Sequence, residues 1–454
     1  VPTIAVRPPQ RHTGDAVPRI VAAAAGLGLA ALLGVAVALG LSGNDVPVWA
    51  VVAGGFVLLG FLALAIAAYD TAVAVALLLF AIVRVEPAPS DAVFAVIIMV
   101  AIATGRMNLR TTPAGPAIAV AAFLALNLVA CLEAIEPGRA AKFMGITVYL
   151  CAFALWIPSW VTNRRHARTL VRIYVGVAVL SAALGSLALF VSFPGHEQLT
   201  YFSGTRARAL FKDPNVFGPF LVPAALVLMQ ELLEPRLLRS PRLVKLGLLF
   251  VLACGILFSY SRAAWLDLVV GVVVMGVVLA LRRGGARRAL VFVGVLALAS
   301  VIIVASVQVT GQLAFLHERA QFQTYDNQRF GAQAGGIALA ETHPIGIGPG
   351  QFELVEPISA HSTYVRALAE QGILGFVVLV ALLYGTLLMA LRNAVTGRDT
   401  HGIGSAALLA AWCGILANSV FVDTLHWRHL WLIAGLIWAA QAQTSSSDGT
   451  RLLR

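Results

Sequence analysis

Apolar runs close to twenty residues long recur along the whole chain, parted by short polar connections. A run of that length, coiled as a helix rising about 1.5 Å per residue, crosses the ~30 Å hydrocarbon layer of a bilayer. That layer offers no water to backbone N–H and C=O groups, so each crossing segment must satisfy them internally. The runs therefore predict an all-α fold, a polytopic transmembrane helical bundle. Spans are expected at 20–41, 47–68, 71–84, 89–105, 114–133, 141–161, 168–192, 214–233, 243–259, 262–281, 288–309, 364–391, 403–424 and 427–442. The run at 71–84 is short for a full crossing, which sets the expected number at about 12–14.

Composition agrees. Hydrophobic residues make up 59% of the 454 residues and charged ones 12%, and mean hydropathy is +0.88, far outside the range of soluble domains. The formal charge of +11 raises the question of nucleic acid. In so apolar a chain, however, lysine and arginine chiefly set topology, so the expected partner is the lipid bilayer and no nucleic acid. Cys131, Cys151, Cys254 and Cys413 all lie inside apolar runs without C-x-x-C spacing, which argues against a disulfide framework or a zinc site. Residues 1–18, with Arg7 and Arg11 among several prolines, read as a disordered cytoplasmic tail, with no cleavable signal peptide evident. The bundle is then expected in two parts, 19–309 and 364–443, parted by a long polar extracytoplasmic loop or lid at 310–363 and followed by a cytoplasmic tail at 444–454.

With the N-terminus in the cytoplasm, 21 of the 32 lysines and arginines fall on the cytoplasmic side, as the positive-inside rule requires. Both termini are therefore expected in the cytoplasm. The basic clusters at 164–168 and 282–288 fit that scheme as topology anchors. Four cations in two short outer connections run against it: Arg206, Arg208, Lys212 and Arg262.

The first of these connections, 203–218, reads SGTRARALFKDPNVFG. Asp213 before Pro214 is a helix start, since aspartate caps and proline suits the first turn, where its missing N–H is not needed. Concentrated positive charge beside the positive end of a helix is an anion site, unless the patch is merely solvated. The second connection, SYSRAAWLDL at 259–268, breaks an apolar region with Ser259, Ser261 and Arg262, and puts another cation at another outward helix start. Asp267 would lie about 7.5 Å deeper, where a structural hydrogen bond is the expected role. The outer loop holds an Ala/Gly-rich helix expected at 327–341, then HPIGIGPGQFE, whose glycines and prolines describe a tight turn with no nucleotide-binding spacing. His361 follows at the mouth of the next span; a histidine can carry a proton near neutral pH or act as a polar anchor. Arg366 and Glu370 lie deeper on that span and are expected to face the bundle. Around Trp427, the cluster of His426, Arg428 and His429 lacks metal-ligand spacing, and Trp427 and Trp431 read as an interfacial belt.

Together these outer stretches resemble the O-antigen ligase and polymerase superfamily of bacterial membrane glycosyltransferases. RARALFKDPNVFG resembles that family's R-x-x-G-x-F-x-x-P-N segment, and SYSRAAWL its S-x-S-R segment. HPIGIGPGQFE with HSTYVRALAEQGILG resembles its H-P-x-x-G-x-G and H-N-x-x-x-x-x-x-E-x-G-x-x-G segments. Two positions depart: Ala209 stands where the family has glycine, and Ser362 where it has asparagine. The resemblance implies a GT-C-like bundle in the bacterial inner membrane. It also implies an inverting transfer of glycan from a polyprenyl-diphosphate carrier to an acceptor hydroxyl on a lipid or glycan, without metal or other cofactor. By position, Arg206 and Arg262 would grip the diphosphate and His361 would activate or orient the acceptor. Arg208 and Lys212 support the diphosphate site by charge, with Asn215, Ser261 and Glu370 as further supporting residues.

The motifs do not separate a ligase, which joins a finished glycan to a different acceptor, from a repeat-unit polymerase. A transporter or flippase of a lipid-linked anion would also want arginines in a cavity. It should show them accessible from both faces, whereas here the candidates crowd one.

Overall fold

The structure is a computed structural model that describes residues 48–84, 88–202, 204–281 and 324–451, and the single positions 294 and 308. The expected tail at 1–18, the span at 20–41, the span at 288–309 apart from those two positions, the basic cluster at 282–288 and the loop residues 310–323 lie outside the described residues. The rest is an all-α polytopic bundle. In chain order its helices begin with α1 (Val48–Ala67), α2 (Tyr69–Leu78), α3 (Pro89–Ala103), α4 (Ala114–Ala130), α5 (Pro137–Trp160) and α6 (Arg164–Phe190). A small hairpin of β1 (Thr200–Tyr201) and β2 (Arg206–Ala207) precedes α7 (Pro214–Leu233), α8 (Arg242–Phe258) and α9 (Arg262–Leu281). Beyond the undescribed stretch come α10 (Thr324–Thr342), the one-turn α11 (Phe352–Val355), α12 (Thr363–Thr396), α13 (Ser405–Asn418) and α14 (Arg428–Arg451).

Among the described residues six helices are long and apolar enough to cross a membrane: Ala114–Glu133, Pro137–Trp160, Arg164–Phe190, Pro214–Leu233, Arg262–Leu281 and Thr363–Thr396. Four shorter apolar helices accompany them, including the 71–84 run, which folds as Tyr69–Ala81. Most of the six present an apolar face outward, as lipid-facing helices do. α7 is the exception, buried along most of its length. It is the post against which α8, α9 and α13 pack. Gly218 lets the start of α7 press on the turn before α9: a Cβ there would meet Ser259 Oγ at 2.6 Å and the Ala264 Cβ at 2.8 Å.

α9 and α13 lie closely together, and Asp267 sits at their contact, fully buried. Its Oδ2 accepts from Asn418 Nδ2 at 3.4 Å, and a Cβ on Gly414 would stand 2.1 Å from its Oδ1. The expected structural hydrogen bond is therefore present, across helices rather than along one.

The cluster at 426–429 takes a different role from the expected belt. Trp427 and Trp431 are buried in the core, and the Trp431 indole donates to Leu425 O at 2.7 Å. Arg428 is buried in an ion pair with Asp91, whose carboxylate also accepts from Ala88 N at 2.7 Å at the start of α3. His426 Nε2 meets Thr147 Oγ1 of α5 at 3.0 Å. These residues bolt the start of α14 to α3 and α5. Burial in a tightly packed bundle, where partners come from distant helices, draws in side chains that an isolated span would leave at its rim.

Candidate functional site

The hairpin β1–β2 decides which cation of the 203–218 stretch turns inward. Thr200 pairs with Ala207 and Tyr201 with Arg206. Behind it, Val83 N donates to Leu210 O and Lys212 N to Val83 O, both at 2.9 Å, fastening the loop to the end of the 71–84 run. Arg206 is 3% exposed. Its Nε donates to Ser259 O at 2.9 Å and its Nη2 to Asn215 Oδ1 at 3.2 Å. It thereby ties the loop, the start of α7 and the turn before α9 into one unit.

The helix start read from Asp213-Pro214 is present: the Asp213 carboxylate accepts from Asn215 N at 2.6 Å, with Pro214 in the first turn of α7. Arg208 instead lies over the Tyr201 ring, 5.4 Å from its centroid, and donates to Lys212 O at 3.4 Å. Lys212 is exposed. Ala209, where the resembling family has glycine, adopts φ +48°, the left-handed conformation that glycine takes without penalty.

In the second connection, Tyr260 makes the reversal at φ +48°. Ser261 is buried, and its Oγ accepts from Ala264 N at 3.4 Å in the first turn of α9. Arg262 opens that helix and reaches α10, where its Nη1 and Nη2 donate to Asp326 Oδ2 and Oδ1 at 2.9 and 2.5 Å.

α10 matches the helix expected at 327–341 and adds a turn's worth of residues before it. Asp326, Arg329, Phe330 and Gln333 recur at the three-and-four spacing that puts side chains on one helical face. That face closes over Arg262 and His361. Arg329 Nη2 lies 2.9 Å from His361 Nδ1, and Gln333 Nε2 donates to His361 O at 3.4 Å.

His361 has φ +45°, an uncommon conformation for a side-chain-bearing residue and one that needs support on both sides. Ser362 provides it as the N-cap of α12, its Oγ accepting from Val365 N at 3.4 Å. Asparagine at the same position would also cap, so the departure Ser362 keeps the local chemistry.

The glycine-rich turn supports the other side. α12 is broken at Gly372, with φ +70° and ψ −176°. The break frees the carbonyls before it: Ile347 N donates to Ala369 O and Gly348 N to Glu370 O, both at 3.0 Å. Ile373 N in turn donates to Pro344 O at 3.0 Å. The Glu370 carboxylate, 1% exposed, accepts from Gly350 N at 2.8 Å and Phe352 N at 3.2 Å. Arg366 is the ionic hub, 2.9 Å from Glu370, 2.8 Å from Asp423 and also paired with Glu353. Burial alone would raise the Glu353 pKa, but the Arg366 guanidinium overcomes it and holds the carboxyl below its usual range. On the far side Arg139 of α5 pairs with Glu353 at 2.9 Å. The H-P-x-x-G-x-G and E-x-G elements are thus two halves of one joint, with α10 before it and His361 after it.

A cavity of about 250 Å³ results, lined among others by Asn215, Arg262, Asp326, Arg329, Gln333 and His361. Of the residues expected from sequence, Asn215, Arg262 and His361 line it directly, and Arg206 stands against Asn215. Ser261 and Glu370 act on its frame, and Arg208 and Lys212 are not among its lining residues. Motif reading does not single out Asp326, Arg329 or Gln333; the signal in sequence is the spacing of Arg329 and Gln333 along the expected helix, with Asp326 just before its expected start. The His361 pKa is pushed down to about 4, first by burial, then by the Arg329 cation and more weakly by Arg366, while Asp213 and Asp423 oppose the shift.

Residues 247–380 match the family model described as O-Antigen ligase. The O-antigen ligase resemblance read from the motifs is therefore supported independently. The match spans the turn before α9, all of α10 and the glycine joint, and stops short of Arg206. It supports a multi-pass membrane glycosyltransferase of the O-antigen ligase or polymerase type. No curated protein matches the chain.

Proposed function

We propose that the protein transfers a glycan from a polyprenyl-diphosphate carrier to an acceptor hydroxyl on the extracytoplasmic face of the bacterial inner membrane. The observation that carries this reading is the convergence of Arg262, Asn215 and His361 on one cavity, with Arg206 braced behind Asn215. Breaking a sugar–phosphate bond leaves negative charge on the lipid diphosphate. The Arg262 guanidinium, with the positive end of the α7 dipole, stabilises it where it develops. A cavity of about 250 Å³ is below the roughly 300–1,000 Å³ that holds a drug-sized ligand, so it suits a headgroup rather than a whole glycan. The lipid and the sugar chain extend beyond it. Arginines in this arrangement can take the part that a divalent ion plays in many glycosyl transfers. Arg208 and Lys212, at the outer edge of the loop, attract the anion by charge.

The test is transfer by the full-length protein in lipid nanodiscs, supplied with a polyprenyl-diphosphate glycan and a panel of acceptors, with and without EDTA. Transfer is expected to survive EDTA. Arg262→Ala and His361→Ala are each expected to lower it by roughly 10²–10³, the cost of removing a donor aimed at developing charge, while the variants remain folded. Strict metal dependence, or full activity of either variant, rejects the proposal. Products elongated by one repeat unit would identify a polymerase, and glycan on a different acceptor a ligase. Donor movement between leaflets without transfer would favour the flippase reading.

A further inference from the structure

Arginine carries five N–H donors and no acceptor, so its contact with an imidazole nitrogen has one possible direction. Arg329 Nη2, 2.9 Å from His361 Nδ1, makes Nδ1 the acceptor. A neutral imidazole that accepts at one nitrogen carries its hydrogen on the other. Protonating Nδ1 would set two N–H groups and two positive charges against each other. Nε2 is then the hydrogen-bearing nitrogen, on a residue that lines the cavity.

We propose that Arg329 is a positioning residue that locks His361 in the Nε2–H tautomer, so that His361 meets an oxygen of the substrate as a hydrogen-bond donor: as the acceptor oxygen bonds to the anomeric carbon and the diphosphate leaves with the electron pair, the hydroxyl proton passes to solvent water and not to His361. The functional half of this inference rests on the glycosyl-transfer reading; the tautomer does not.

The surroundings favour the lock. Arg329 and Gln333 are four residues apart on α10 and hold the ring and the carbonyl of the same residue. The ring has little freedom to turn away, because His361 stands between the cap of α12 and the glycine joint in a left-handed conformation. The charged groups that act on it are Arg329 from α10, Asp213 at the start of α7, Arg366 from α12 and Asp423 beyond α13. Burial is the largest influence and disfavours the imidazolium; Arg366 against Asp213 and Asp423 acts more weakly from a distance, and the Arg329 contact decides which nitrogen carries the hydrogen. An Nε2–H donor beside Arg262 suits a phosphate or sugar oxygen. Proton abstraction through Nε2 would first require Arg329 to leave Nδ1, which couples the chemistry of His361 to the seating of α10.

The experiment uses full-length protein in nanodiscs with ¹⁵N-labelled histidine, the His361 signals being assigned by their loss in His361→Gln. Between about pH 6 and 8, Nδ1 is expected in the unprotonated range and Nε2 in the protonated range. An Nδ1–H tautomer or an imidazolium in that window overturns the proposal. Arg329→Met is expected to release the ring to a tautomer mixture that titrates nearer to an ordinary histidine, and Arg329→Lys, which keeps a cationic donor, to restore the lock. Unchanged nitrogen signals in Arg329→Met overturn the proposal even if the wild type shows the expected tautomer.

The transfer assay then separates donor from base. The side-chain amide introduced by His361→Gln supplies an N–H donor but no base, so this variant should transfer glycan at least about tenfold faster than His361→Ala. Equal loss in the two variants overturns the donor role. If no protein transfers glycan at all, the transfer reading fails while the tautomer measurement stands on its own.

Discussion

Replacing Gly372 by alanine attacks the joint that seats both α10 and His361, and the cost can be worked from its geometry. The backbone at φ +70°, ψ −176° lies in a region that is essentially glycine's own, where another residue costs about 1–3 kcal/mol. Space is the harder limit. A Cβ would stand 2.3 Å from Pro344 O and 2.4 Å from the Ile345 carbonyl carbon, and neither is a side chain that can rotate aside. The chain can lift the glycine turn instead, which gives up the Ile347, Gly348 and Ile373 backbone hydrogen bonds, each worth about 0.5–1.5 kcal/mol net. Either route costs about 2–4 kcal/mol. Every 1.4 kcal/mol is about tenfold in an equilibrium, so hydrogen exchange at the amides of 347, 348, 350 and 352 should accelerate by roughly a hundredfold. Transfer should fall with it, because the turn is the link between α10 and His361. Gly385→Ala, on the same helix with open space around the added methyl, is the control and should leave both unchanged. Wild-type exchange and transfer in Gly372→Ala would refute the account of the joint.

Arg428→Met should destabilise the bundle by about 3–5 kcal/mol, because it strands the buried Asp91 carboxylate; thermal unfolding in detergent measures this, and adding Asp91→Asn should recover part of it. Ala209→Val should cost more than Ala209→Gly, since a β-branched side chain resists φ +48° while glycine accepts it; equal unfolding temperatures for the two would contradict the left-handed assignment. His361 contributes a pH term with a defined sign. Its folded pKa, about 4, lies below the ordinary 6.5, so the unfolded chain binds more protons in that window and stability should fall as pH drops from about 6.5 to 4. Unfolding midpoints of wild type and His361→Gln across that range test it, the variant losing this component of the slope.

Much of the bundle was legible because the apolar runs and the bilayer leave one backbone solution. Helix starts were legible where local chemistry sets them, as at Asp213-Pro214; α10, read from composition alone, opens at Thr324, ahead of the expected 327. The three polar stretches meet at the cavity as their shared excess of polar groups suggested. Within the first stretch, charge alone could not rank three cations. The register of Thr200–Tyr201 against Arg206–Ala207 turns Arg206 inward, and that pairing is a tertiary fact. Arg329 was legible as a position on a helix, but Asp326 lies just before the expected start at 327, and the face that would close over the site was not legible. Arg428 with Asp91, hundreds of residues apart in the chain, shows the same limit. A single sequence records which residues are costly to bury, and packing records which partner makes the burial tolerable.

The Arg262–Asp326 pair has a consequence for what the cavity selects. Both terminal nitrogens of Arg262 already carry a carboxylate tethered to α10. An incoming anion at those nitrogens takes part in an exchange, and its rival is present at the high effective concentration of an attached group. A singly charged anion offers little over Asp326, whereas a diphosphate brings more charge and more acceptor oxygens to the same guanidinium. On the proposed function the carboxylate sets a threshold, screening out weak and abundant anions such as chloride while leaving the site open to a ligand charged strongly enough to displace it.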